Sequence, residues 1–165
     1  MTATATYWRA RYASGGTSGA GSRGAEARAK AALIDEVIRT YRVARLVDLG
    51  VGDGYTASLV SEPVEYVGVD PAHTSPAPAG PFDLALSFDV LFHLVDDADY
   101  RAYLTALFAP TTTRVLVWST DHVQQGRSHV LHRHWTPDIP SGWRVCWRRA
   151  TGHGRKYAWL LERIA

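Results

Sequence analysis

The sequence predicts an α/β fold: a mostly parallel sheet of about six strands with an antiparallel end. Three observations predict it. Strand-like apolar runs alternate with helix-like patterns through residue 120, a glycine cluster follows the first strand directly, and two strand patterns stand side by side near the C-terminus. A chain of 165 residues, 46% of them apolar, can build one core.

Residues 14–24 read SGGTSGAGSRG, too glycine-rich for a regular element, so residues 1–24 are expected to form an N-terminal arm or lid on a single domain over 25–165. Leu33, Ile34, Val37, Ile38 and Tyr41 then fall on one helical face, predicting a helix over 25–41. Strands are predicted at 45–49 and 65–70, with a short helical stretch ending at Leu59 between them. Four prolines in 71–81 exclude a regular element there. A third strand covers 82–90. Tyr100, Tyr103, Leu104, Leu107 and Phe108 predict a helix over 97–108, with Asp97 and Asp99 near its start, where acids suit the dipole. A buried-type strand follows at 114–119. Thr136 and Pro137 suit a brief helical turn. Alternation of Trp143, Val145 and Trp147 with Arg144, Cys146 and Arg148 predicts a half-buried strand, and 157–164 the last one.

Charge is uneven. Residues 1–30 carry +4, residues 31–120 carry −7 and residues 121–165 carry +5, within a net +2. The sole cysteine, Cys146, excludes an intramolecular disulfide and a cysteine-ligated zinc site. The first residues lack the basic head and apolar stretch of a signal peptide, and no run approaches the roughly 20 apolar residues of a membrane span. The expectation is a soluble, cytoplasmic protein without a membrane partner.

The most informative stretch is Asp48-Leu49-Gly50-Val51-Gly52-Asp53-Gly54. Glycines between a strand and a helix let backbone approach a ligand where a Cβ would collide. The spacing G-x-G-x-G differs from the dinucleotide fingerprint G-x-G-x-x-G, and the Gly-Lys-Ser/Thr ending of a P-loop is missing. Asp70 ends the next strand, beside this turn, where a carboxylate can accept both hydrogen bonds of a ribose diol.

Asp48-x-Gly50-x-Gly52-x-Gly54, Val69-Asp70 and the run from Leu86 through Ser87, Asp89 and His93 to Leu94 resemble three successive motifs of the class I S-adenosylmethionine-dependent methyltransferases. The resemblance spans residues 31–119 and implies a Rossmann-like sheet that binds S-adenosyl-L-methionine at the C-terminal ends of its strands. It implies that Gly50, Gly52 and Gly54, with Asp53 among them, line the cofactor and that Asp48 lies near its amino-acid end. Asp70 would then hold the ribose hydroxyls, with Ser87 and Asp89 below the methionine moiety. The arm, with Tyr7, Trp8, Arg11, Tyr12, Ser18, Gly19 and Ser22, is similar to an N-terminal stretch that folds over the cofactor in some of these enzymes. One departure stands out: only residues 71–81 separate the acid-ended strand from the next, so one usual strand and its helices are missing.

Methyl transfer needs an aligned acceptor and a base where the acceptor carries a proton. His93, just past the third strand, is the first candidate, against the alternative that it packs at a helix start. Asp121 and His122 follow the next strand at the same edge. His129, His132 and His134 do not share a strand face, and no metal site is expected from them. Trp118, Trp135, Trp143, Trp147 and Trp159, interleaved with Arg144, Arg148, Arg149 and Arg155, suit either core packing or a single-stranded nucleic acid. The expected acceptor is a small molecule. A nucleic-acid acceptor and a cofactor-binding auxiliary domain are the alternatives, and the shortened sheet edge suits a homodimer.

Overall fold

The structure is a computed structural model that describes residues 3–70, 80–109, 111–126 and 129–164. Three helices, α1 (Ala3–Ala13), α2 (Gly24–Tyr41) and α3 (Asp97–Phe108), accompany eight strands. Six strands form one sheet: β1 (Arg45–Leu49), β2 (Glu65–Val69), β3 (Phe82–Phe88), β4 (Thr111–Thr120), β7 (Trp143–Ala150) and β8 (Lys156–Arg163). The order is β2-β1-β3-β4-β8-β7; the first four run parallel, β8 runs antiparallel to β4, and β7 antiparallel to β8. Among the described residues no strand lies beyond β2, in keeping with the missing unit. Most of the proline-rich stretch lies outside the described residues.

Strand alternation sorts the core into two faces. Val115, Val117, Trp159 and Leu161 pack with Tyr100, Leu104, Leu107 and Phe108 of α3. Leu84, Leu86, Leu116 and Leu160 pack with Ile34, Val37 and Ile38 of α2 on the other. Asp97 and Asp99 lie in the first turn of α3, and Asp96 before them is the N-cap, its side chain accepting from the N–H groups of Ala98 and Asp99.

Three elements differ from the sequence reading. The arm contains a helix, α1, ahead of its glycine-rich segment. A two-stranded ribbon, β5 (Gln124–Gln125) with β6 (Leu131–His132), follows β4 and is too short and polar to register as strands. In β7 the alternation fails: the register shifts between Val145 and Trp147, so Trp143 joins the α3 face while Trp147 packs on the α2 face. The bulge leaves Val145 42% exposed. Trp118, Trp135, Trp143 and Trp159 are all buried in the core, while Trp147 is half-buried.

Candidate functional site

At the C-terminal ends of β1 and β2 the chain makes the turn that the glycines require. Gly50, Gly52 and Gly54 have φ of 108°, 63° and 76°, left-handed values that a Cβ strains. A Cβ on Gly50 would lie 2.3 Å from Val90 Cγ2, and one on Gly52 would lie 2.2 Å from Ser18 Oγ. The turn is tied to its neighbour: Gly50 N–H donates to the Val69 carbonyl (2.7 Å) and Gly52 N–H to Asp70 Oδ2 (3.0 Å). Gly52 and buried Asp70 are therefore in contact, as the order of the motifs requires.

Asp48 is buried beneath this turn. Its Oδ2 accepts from the Tyr66 hydroxyl at 2.6 Å, while Oδ1 has no hydrogen-bond partner. Burial pushes its pKa up to about 6, against the lowering effects of Tyr66 and Lys30. Ser87, fully buried, lies 2.7 Å from the Tyr103 hydroxyl, which also donates to the Leu49 carbonyl at 2.5 Å.

Asp89 occupies the left-handed region (φ 59°) just after β3. Its Oδ2 is bridged by Lys30 Nζ (2.7 Å) and Lys156 Nζ (2.8 Å), and its Oδ1 is buried without a partner. Lys156 also donates to Glu26 (2.6 Å), and Lys30 to the Gly21 carbonyl (2.7 Å). Burial opposes the charge on Lys156, but Asp89 and Glu26 overcome it and raise its pKa. Sequence reasoning missed this two-lysine, two-carboxylate cluster. One signal was present: Lys30 lies on the apolar stripe of α2 with Ala27 and Ile34, where a solvated lysine does not belong.

Trp8, Tyr12, Ser18 and Ser22 of the N-terminal segment line the same pocket. Asp53 does not enter the pocket. It accepts from the Ser18 N–H (2.9 Å), from Arg23 through two nitrogens (3.2 and 2.7 Å) and from the Tyr55 N–H (3.2 Å). Burial raises its pKa, but these bonds bring it down to about 2. Ser18 Oγ accepts from the Asp53 N–H and lies 3.1 Å from the Tyr12 hydroxyl. Gly19 caps the short turn at Ala20–Ser22 and lines a second cavity above Asp89.

His93 stands between the two cavities and lines both. Its Nδ1 lies 3.0 Å from the His129 carbonyl. A carbonyl only accepts, so Nδ1 carries the proton and Nε2 keeps its lone pair. Burial lowers the His93 pKa despite this bond, favouring the neutral ring.

Asp121 and His122 are not brought to this point. Asp121 accepts from Trp135 N–H (2.9 Å), Thr136 N–H (3.3 Å) and Thr136 Oγ1 (2.9 Å), holding the Thr136–Asp138 turn. His122 stacks on His132, with ring centroids 5.0 Å apart, and meets Gln124. The other histidines diverge: His132 meets Thr120 Oγ1 at 2.8 Å, His134 faces Asp121, and His129 stacks on Tyr7. On β7 and β8 the arginines are engaged too. Arg144 pairs with Glu162, Arg149 with Glu36, and Arg148 lies over Tyr157.

Solved structures similar to this fold include several methyltransferases. 1,6-Didemethyltoxoflavin-N1-methyltransferase from Burkholderia thailandensis, solved with S-adenosylhomocysteine, matches with a TM-score of 0.65 at 16% identity over 98% of this chain and 87% of that one. The N-methyltransferase NodS from Bradyrhizobium japonicum, also with S-adenosylhomocysteine, matches with a TM-score of 0.64 at 11% identity over 98% and 99%. The chain has the class I methyltransferase fold. The mitomycin 7-O-methyltransferase MmcR matches at TM-score 0.59 and 16% identity over 85% of this chain and 55% of that one. This chain thus spans about half the length of that structure and of an O-methyltransferase family protein from Burkholderia thailandensis. No family model matches the sequence, and no similar sequence is found among curated proteins.

The residues present fit the cofactor this fold carries in those structures. Asp48 Oδ1 and Asp89 Oδ1 are buried acceptors lacking donors, the requirement of a site that receives an ammonium group. Gly50, Gly52, Asp70 and Asp89 share one pocket. With the arm seated, that pocket holds about 60 Å³ and is continuous with the second cavity, and Tyr12 and Ser18 are among the residues that narrow it.

Proposed function

We propose that the protein is an S-adenosylmethionine-dependent methyltransferase acting on a small molecule. The observation that carries this reading is the 3.0 Å contact between Gly52 and Asp70 at the ends of the parallel strands. It joins bare backbone and a buried carboxylate in one pocket with His93. Asp70 holds the ribose hydroxyls, and Gly50, Gly52 and Gly54 present main chain to the cofactor. Asp48 and Asp89 receive its amino-acid end, with Ser87 and Tyr103 bracing the floor. When bound, this cofactor supplies an electrophilic sulfonium methyl group. His93 takes up the acceptor's proton at Nε2, its ring held in the correct tautomer by the His129 carbonyl. Asp53, Ser18 and Gly19 position the arm over the site. Asp121 and His122 act from a distance, through the turn and ribbon they support.

A cytoplasmic setting belongs to this reading, supported by the free, exposed Cys146. Among the described residues no helix is long and apolar enough to cross a membrane. A nucleic-acid acceptor is less well supported, because the buried tryptophans and paired arginines leave few stacking platforms.

Titration calorimetry with S-adenosylmethionine and S-adenosylhomocysteine tests the proposal. Saturable heat with both is expected, and no heat with either ends it. The second reading is a domain that binds the cofactor without catalysing, with no further strand beside β2 among the described residues. Binding with no methyl transfer to any of a panel of small nucleophiles selects that second reading.

A further inference from the structure

The second cavity, about 290 Å³, opens beside the glycine-turn pocket, and His93, Trp8, Ser18 and Asp89 line both. Its walls are rings. Tyr7 stacks on His129 with centroids 4.4 Å apart and planes 14° apart, and His129 is nearly parallel to His93 at 5.7 Å and 11°. Trp8 stands edge-on to His93 at 4.9 Å, and Phe92 closes the side at 4.7 Å. Three aligned rings with an edge-on fourth give the cavity an aromatic lining, which suits a flat, polarisable molecule better than a branched aliphatic one.

Charge narrows the class further. Asp89 and Lys156 line the cavity, but with Lys30 and Glu26 they form a neutral set of two cations and two anions. Arg11 also lines it; its Nε donates to the Thr17 carbonyl and its guanidinium lies 5.8 Å from the Trp8 ring centre. Among the described residues no carboxylate pairs with Arg11, so the cavity keeps one uncompensated positive charge.

From this we infer that the cavity is the acceptor chamber and takes a planar aromatic molecule with an anionic substituent, its acidic O–H or N–H at His93 Nε2 and its anion at Arg11. The inference rests on the methyltransferase reading for the word acceptor; the binding it describes does not. Binding of 3-hydroxy-2-naphthoate to the full chain, measured by calorimetry, tests it against 2-naphthol and cyclohexanecarboxylate, with S-adenosylhomocysteine titrated in parallel. The hydroxynaphthoate is expected to bind at least about tenfold more tightly than either control. Arg11→Gln should remove the preference over 2-naphthol, and Trp8→Ala the preference over cyclohexanecarboxylate. Should Trp8→Ala unfold the chain, His129→Ala carries the same test from the opposite wall. Equal affinity for all three probes, or a preference that survives Arg11→Gln, overturns the inference. If S-adenosylhomocysteine binds and the hydroxynaphthoate does not, the chamber falls and the methyltransferase reading stands; the reverse result sinks that reading and leaves an aromatic-anion site.

Discussion

The two walls of the glycine-turn pocket are built by different physics. The strand-end wall, Gly50, Gly52, Asp70 and Asp89, is carried by strands whose core side chains, among them Leu46, Val47 and Leu86, have no exposed surface. The arm wall, Trp8, Tyr12 and Ser18, is fastened at the solvent boundary by Asp53 to Ser18 and Arg23, and by ring contacts of Trp8 with Tyr12 and His93. Burial makes the first wall rigid, because moving it opens the core. Partly exposed ion pairs contribute at most about 1 kcal/mol each, so the second wall can lift while the domain stays folded. A pocket as narrow as about 60 Å³ is therefore widened more readily from the arm side than from the strand side.

The buried ion cluster is where the walls meet, since Lys30 holds both Asp89 and the Gly21 carbonyl of the arm. Lys30→Met should therefore have the largest effect, a loss of about 3–5 kcal/mol in urea unfolding, because it strands buried carboxylate charge. A loss below about 1 kcal/mol would show that the cluster does not brace the strand-end wall.

Asp48 sharpens the comparison through pH. Its folded pKa of about 6 lies above its unfolded value, so the folded state binds the extra proton between roughly pH 4 and pH 6. Stability should fall across that window by up to about 3 kcal/mol, the equivalent of a shift near two pH units. Asp48→Asn should flatten this contribution, visible as a mutant-minus-parent difference in denaturation curves. Parallel curves would remove Asp48 from the strand-end wall's electrostatics.

Asp70→Ala should weaken S-adenosylhomocysteine binding by about 1–3 kcal/mol, roughly five- to 150-fold by calorimetry, for the loss of charge-assisted bonds to ribose. Unchanged affinity would place the ribose elsewhere. Asp53→Asn should be the mildest change. It is expected to cost at most about 1 kcal/mol of global stability while speeding proteolytic cleavage within residues 14–19. The native Asp53 pKa of about 2 is below the unfolded value, so its contribution is present at neutral pH and lost as pH falls toward 2. Cleavage as slow as in the parent would mean that the arm is held by its aromatic contacts instead.

Local rules were enough for much of this molecule. Two-residue and 3.6-residue periodicities placed α2, α3 and the six sheet strands, and three glycines with two acids marked the strand-end wall. Those signals are legible because each residue reports its own burial or backbone strain. Pairings between distant positions leave no such mark. Asp89 with Lys30 and Lys156, His93 with the His129 carbonyl, and Asp53 with Ser18 and Arg23 join residues 30 to 67 positions apart. The bulge that turns Trp147 to the opposite face from Trp143 is likewise imposed by pairing with β8. Periodicity and backbone strain in the chain thus determined the fold and half of one pocket. Tertiary packing alone decided which charges neutralise one another, which histidine keeps its lone pair and what closes the site, because those depend on contacts that form only when separate elements meet.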